Sequence, residues 1–193
     1  DAEPLEAFAA RLPEELRVLL LRYVDVRYGE KADEALAGGV DELNKYALSI
    51  GKRWRFWNDQ TIPGEAAVVA NLARMDSNQS ALARVTAVRL GRYRRPFTAK
   101  QEVDWIAQGV DLSTITMVVT GAKGWPGLDA HYQAVVAELS QRVGRPLAQQ
   151  TYKQDCGEFY SASALGFAKA IELARHEQRP VLLYTLSLRG GKA

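Results

Sequence analysis

The stretch from Thr151 to Ala193, TYKQDCGEFYSASALGFAKAIELARHEQRPVLLYTLSLRGGKA, decides how the rest of the chain is read. Gln149 to Tyr152 suits a short strand. Ser161 to His176 is rich in alanine and predicts a helix, which Pro180 brings to a stop before a strand over Val181 to Leu186. Working backwards, Ile115 to Val119 is a β-branched run expected to be a buried strand. Gly121 to Gly127 forms a glycine-rich loop after it, and Leu128 to Val143 predicts a helix. Strand, helix, strand, helix, strand in that order points to an α/β layered domain.

Toward the N-terminus the signals are more local. Leu5, Phe8, Leu12, Leu16, Leu19, Leu20 and Tyr23 recur at spacings of three and four, which predicts helix over Pro4 to Tyr28, with a second helix start at Pro13-Glu14-Glu15. Ala32 to Val40 reads as a strand running into Gly38-Gly39, and Asp41 to Ile50 as helix or loop. Trp54, Phe56 and Trp57 form an aromatic knot in a polar loop. Pro63-Gly64-Glu65 punctuates the chain before a buried strand over Ala66 to Leu72. A turn is expected at Asp76 to Ser80, and Ala83 to Leu90 alternates apolar and polar as a strand does. Thr98 to Gln108 predicts a helix capped by Thr98, with Glu102 in its first turn.

Composition narrows the function classes. A chain of 193 residues with 47% hydrophobic content can bury a real core. The net charge of +2 gives no general nucleic-acid signature. Basic residues nevertheless gather at Lys52, Arg53 and Arg55, and at Arg84, Arg89, Arg92, Arg94, Arg95 and Lys100. Such clusters are either solvated surface or a dock for an acidic partner. Cys156 is the only cysteine, which excludes an internal disulfide and a paired-cysteine metal site and fits a reducing, cytoplasmic setting. No apolar run is long enough for a membrane helix. Asp1 is not an initiator methionine, which leaves a removed leader open.

Few residues carry chemistry by pattern alone. Thr120-Gly121-Ala122-Lys123-Gly124-Trp125-Pro126-Gly127 follows a strand and precedes a helix, as a phosphate-cradling loop would, but its spacing matches neither the P-loop nor the dinucleotide fingerprint. His131 and His176 have no carboxylate or nucleophile beside them in sequence and read as surface or cap histidines. Cys156 precedes a helix and lies near Lys153, yet Asp155 and Glu158 flank it and disfavour a thiolate, so it reads as a structural thiol.

Several of these segments together resemble one family. In Tyr152-Lys153-Gln154-Asp155-Cys156-Gly157-Glu158, Lys153 and Gly157 stand at the spacing of the Lys, three residues, Gly-His signature of the beta-ketoacyl synthases. Glu158 takes the place of the histidine, and Ser161-Ala162-Ser163-Ala164 supplies the small residues that open the following helix. The strand Ile115 to Val119 with the loop Thr120 to Gly124 and Asp129 is similar to the family's strand, His-Gly-Thr-Gly-Thr and Asp, again without the histidine. Gly38-Gly39-Val40-Asp41 looks like the family's Gly-Gly-Val-Asp, Pro63-Gly64-Glu65-Ala66-Ala67-Val68-Val69 like its Gly-Glu-Gly-Ala strand, and Arg189-Gly190-Gly191-Lys192-Ala193 like its Phe-Gly-Gly loop. The run Cys156 to Ala164 is closest to a divergent branch, the chain-length-factor-like partners of aryl-polyene and related pigment pathways.

The resemblance covers about Lys31 to Ala193 and implies an α/β thiolase-like layered fold, mostly its C-terminal half plus strands of its N-terminal half. One such domain would span residues 1–193, either as part of a longer protein whose N-terminal and terminal segments lie outside this sequence or as a reduced, half-sized relative. The family's condensation uses a cysteine nucleophile and two histidines, and none of the three has a counterpart here. The resemblance therefore implies a non-catalytic subunit for fatty acid or polyketide elongation, paired in a heterodimer with a catalytic synthase. Its substrates would arrive on the phosphopantetheine of an acyl carrier protein, with no cofactor, metal, nucleic acid or membrane of its own. Lys153 and Glu158 hold the family's catalytic positions. Arg89, Arg92, Arg94 and Arg95 are candidates for carrier docking, and Trp54, Phe56, Trp57 and Phe159 for the acyl tunnel or interface, with core packing as the plainer role of each aromatic. The alternatives are an active 3-oxoacyl synthase whose nucleophile lies outside this sequence, with Glu158 replacing histidine, and a binding module without acyl chemistry.

Overall fold

The computed structural model describes residues 34–53, 63–74, 80–89, 98–159 and 161–186. In chain order these form β1 (Glu34–Asp41), α1 (Lys45–Arg53), β2 (Ala66–Ala73), α2 (Ala99–Ala107), a single 3-10 turn (Leu112–Thr114), β3 (Met117–Thr120), α3 (Pro126–Val143), β4 (Ala148–Thr151), α4 (Lys153–Cys156), α5 (Ala162–Glu177) and β5 (Val181–Tyr184). The protein is mixed α/β. Among the described residues, 34–38, 69–74 and 80 make up one unit, and the rest make up a second, larger one.

The larger unit is built on three parallel strands in the order β4-β3-β5. Parallel neighbours need crossovers, and α3 supplies the one from β3 to β4 and α5 the one from β4 to β5. The two crossovers run in opposite directions along the sheet, which puts their helices on opposite faces. Period-two alternation shows in the packing. Val118, Leu182 and Tyr184 join one core cluster with Val103 and Ile106 of α2 and Leu128, Tyr132, Val135 and Leu139 of α3. Val119, Val181 and Leu183 join the other, with Tyr152, Phe159 and the α5 residues Ala162 and Ala170. A helix–sheet–helix sandwich results, with β3 as its buried spine.

Local chemistry explains the element ends. Thr98 caps α2 through a capping box: its hydroxyl accepts from the Gln101 amide while the Gln101 side chain accepts from the Thr98 amide. The α3 helix starts at Pro126, whose missing N–H costs nothing at a first helical position, and ends at left-handed Gly144. The glycine-rich loop is thus shorter than the sequence suggests, because Pro126 and Gly127 already belong to the helix.

β1 and β2 pair as a two-stranded sheet. The expectation of a buried strand over Ala66 to Leu72 is corrected in one respect: β2 is half-exposed along its length and shows Val69 and Leu72 to solvent. The expected strand over Ala83 to Leu90 is overturned for the residues described there. Residues 81–89 form no strand, and those from 81 to 88 are exposed. Alternation marks a strand only where a neighbour covers one face, and no ladder forms along this segment. The sequence reading missed α4, which is a single turn. The helical segments expected before Tyr28 and the turn at Asp76 lie outside the described residues. Among the described residues no helix is long and apolar enough to cross a membrane.

Candidate functional site

The charged core of the molecule lies at the carboxyl ends of the three parallel strands. Lys123 sits in the loop after β3, Lys153 opens α4 directly after β4, and Glu158 follows two residues after α4. Open α/β sheets bind their ligands in this region, where connections leave the sheet in opposite directions.

Glu158 is the centre. Its Oε1 and Oε2 each accept from Lys153 Nζ at 2.9 Å, and its Oε2 also accepts from Lys123 Nζ at 2.5 Å. All three side chains are nearly inaccessible, with 5% exposure for Glu158, 7% for Lys153 and 8% for Lys123. Charges this deep persist only when paired and hydrogen-bonded, and here one carboxylate serves two ammonium groups. Lys123 also lies 5.2 Å from the centre of the Trp125 ring.

Backbone geometry delivers Glu158 to that position. Gly157 has a φ of 77°, a conformation that a side chain would strain. Glu158 then forms an isolated parallel bridge with Pro63, and its carbonyl accepts from the Gly64 amide at 3.1 Å. A Cβ on Gly64 would run into the carbonyl oxygen of Cys156, so the Pro63-Gly64 corner can approach only as glycine. On the other side, Asp129 in the first turn of α3 accepts from the amides of Lys123 at 3.0 Å and Gly124 at 2.7 Å. That pins the loop and aims Lys123 inward.

A second anchor joins β1 to α5. Asp41 Oδ2 accepts both the Ser161 amide, at 2.7 Å, and the Ser161 hydroxyl. Four separated segments of the sequence, around Asp41, Gly64, Lys123 and Lys153 to Ser161, thereby converge on one place.

Beside it runs a hydroxyl cluster. Tyr152 OH and Thr185 Oγ1 are 2.9 Å apart, and Tyr132 OH accepts from the Leu186 amide at 2.8 Å. Burial pushes the Tyr132 phenol up to about 12, against the opposing effect of the Leu186 bond, and burial also drives Tyr152 up. Among the described residues no buried side-chain nitrogen or oxygen lacks a hydrogen-bond partner, so the cluster is satisfied from within.

The residues singled out by sequence divide as follows. Lys153 and Glu158 come together. Phe159 is buried in the core with Val119, Tyr152 and Ala162. Arg89 is half-buried, lying 4.7 Å from the centre of the Trp105 ring and donating to Gln108 at 3.3 Å. Arg92, Arg94, Arg95, Trp54, Phe56 and Trp57 lie outside the described residues. Cys156 is half-buried and donates to the Gly157 carbonyl. Burial raises its thiol pKa most, Asp155 and Glu158 add to that, and Lys153 opposes it. His131 is half-buried near the Tyr184 hydroxyl, and the exposed His176 ring stands 3.5 Å from Glu177. No group of three potential metal ligands gathers among the described residues. Sequence reasoning missed Lys123 as a site residue. Its one signal was a lone lysine in a glycine-rich loop after a buried strand.

No protein-family model, no curated protein sequence and no solved structure matches this chain.

Proposed function

We propose that this chain is a beta-ketoacyl synthase-like subunit of thiolase-type fold. In this reading it is a non-catalytic, chain-length-factor-type partner in acyl-carrier-protein-dependent elongation of aryl-polyene type. Its partners are a catalytic synthase subunit and the carrier protein, which presents the growing chain on phosphopantetheine. The observation that carries this reading is the state of Glu158. It stands at the family's histidine position, and it accepts from both Lys123 and Lys153. Both oxygens of that side chain are already engaged as acceptors by the two lysines, so neither is presented to an enolate or a thioester oxygen. Cys156 offers no substitute nucleophile, because its raised thiol pKa keeps the thiolate scarce.

The convergence of segments supports the family reading as well. The segments similar to the family's Gly-Gly-Val-Asp and Gly-Glu-Gly-Ala fall on β1 and β2, which pair. Asp41 from the first reaches Ser161, and Gly64 from the second reaches Glu158.

The test uses malonyl-loaded carrier protein. The purified chain alone should release no carbon dioxide. A copurifying synthase subunit should restore condensation, and removing this chain should shift product length. Decarboxylation by the chain alone would overturn the non-catalytic reading and favour an active 3-oxoacyl synthase. Failure to associate with any synthase or carrier protein would leave a module without acyl chemistry.

A further inference from the structure

The helix α1 carries an exposed stripe that the site does not use. With 3.6 residues per turn, Tyr46, Ser49, Ile50 and Arg53 fall on one face, and Lys45 and Lys52 fall together beside it. Tyr46 is 81% exposed and Ile50 41%, while Gly51 is buried and Leu48 half-buried on the opposite side. The helix therefore turns Tyr46 and Ile50 outward and Leu48 inward. Asn44 caps it by accepting from the Tyr46 amide at 3.1 Å, so the stripe stands on a defined helix start.

Its charge is one-sided. Lys45, Lys52 and Arg53 are exposed, the helix contains no acidic residue, and none of the three cations makes an ion pair among the described residues. The acidic groups nearest in sequence are Asp41, which is taken by Ser161, and Glu42, which precedes the helix. Glu65 accepts from the Leu43 amide at 2.9 Å. An aromatic and a β-branched side chain, rimmed by three unmatched cations, form the pattern of a small protein-docking surface. The exposed apolar side chains of the two-stranded sheet, Val40, Val69 and Leu72, have no basic residue beside them within β1 or β2.

We infer that the Tyr46–Ile50–Arg53 face of α1 docks an acidic partner protein, one that presents an apolar side chain surrounded by carboxylates, most simply on an amphipathic helix. This does not depend on the acyl chemistry proposed above.

The test is a titration of the isotopically labelled full chain with a synthetic helical peptide bearing Leu at i and i+4 among Glu residues, followed by amide chemical shifts. A matched peptide with Lys in place of Glu serves as control. Shifts centred on Tyr46, Ile50 and Arg53, weakening as salt rises, are expected from the Glu peptide alone. Binding should weaken at least tenfold in Ile50→Asp and, independently, in the Lys52→Glu/Arg53→Glu variant, with circular dichroism unchanged in each. Shifts elsewhere, equal response to the Lys peptide, or indifference to both variants would overturn the inference. So would binding to phosphatidylglycerol vesicles without binding to the Glu peptide.

Discussion

Replacing Glu158 by glutamine tests the physics of the charged core. The substitution preserves size but turns one of two acceptor oxygens into an NH2 group facing an ammonium. Both lysines lose the charge they share at 2.5–2.9 Å, inside a site where none of the three side chains is more than 8% exposed. Breaking a buried pair from one side costs about 3–5 kcal/mol. For a domain of this size each kcal/mol lowers Tm by about 2–4 °C, so the expected loss is roughly 6–20 °C. Lys153→Met should cost less, because Glu158 keeps its bond to Lys123. The Lys153→Met/Glu158→Gln double variant should be less unstable than the sum of the two singles, by about 0.5–3 kcal/mol. Thermal and urea unfolding followed by circular dichroism read all three. A Glu158→Gln protein that melts within about 2 °C of the parent, or a Lys153→Met protein that melts below the Glu158→Gln protein, would refute the argument that one carboxylate sustains two buried cations.

Three further outcomes are expected. Thr98→Ala removes the hydroxyl half of the α2 capping box and should cost about 1 kcal/mol in urea unfolding; no measurable change would mean the cap is dispensable. Tyr132 titrates near 12 in the fold against about 10 when unfolded, so the unfolded chain loses its proton first as pH rises. The stability contributed is complete below pH 10 and is lost between about 10 and 12, and Tyr132→Phe should flatten that decline in an alkaline melting series. Cys156, half-buried and with its pKa raised, should react with iodoacetamide at pH 7.5 more slowly than an unstructured cysteine peptide, and faster alkylation would show an activated thiolate.

Much of the fold was legible because its signals are local. The β-branched run at β3, the cap at Thr98 and the stop at Pro180 each act within a few residues. The strand expected at Ala83 to Leu90 failed because its alternation is intrinsic to the segment, whereas a strand needs a neighbour that sequence does not name. The site was half legible for the same reason. Lys153 and Glu158 are five residues apart and fall in one motif, so reading one finds the other. Lys123 lies 35 residues upstream and enters only because Asp129 holds its loop against the sheet. Asp41 is more distant still, and nothing in its own neighbourhood announces Ser161. Arg89 lies against Trp105 of its own chain, a contact that composition alone does not announce.

The contact from Asp41 to Ser161 spans 120 residues, against 35 for Lys123 to Glu158 and 5 for Lys153 to Glu158. Closing a longer loop costs more chain entropy, here about 1 kcal/mol more for 120 residues than for 35. The local strand–helix–strand units repay their closure early, whereas the β1 anchor must wait for a nearly complete chain. The contacts at the site are thus expected to form in order of sequence separation: the α4 turn first, then the β3 loop, and the distant aspartate last. Pulsed hydrogen exchange during refolding would register that order as late protection of the Ser161 amide. An early-protected Ser161 would instead place β1 in the nucleus from which the molecule grows.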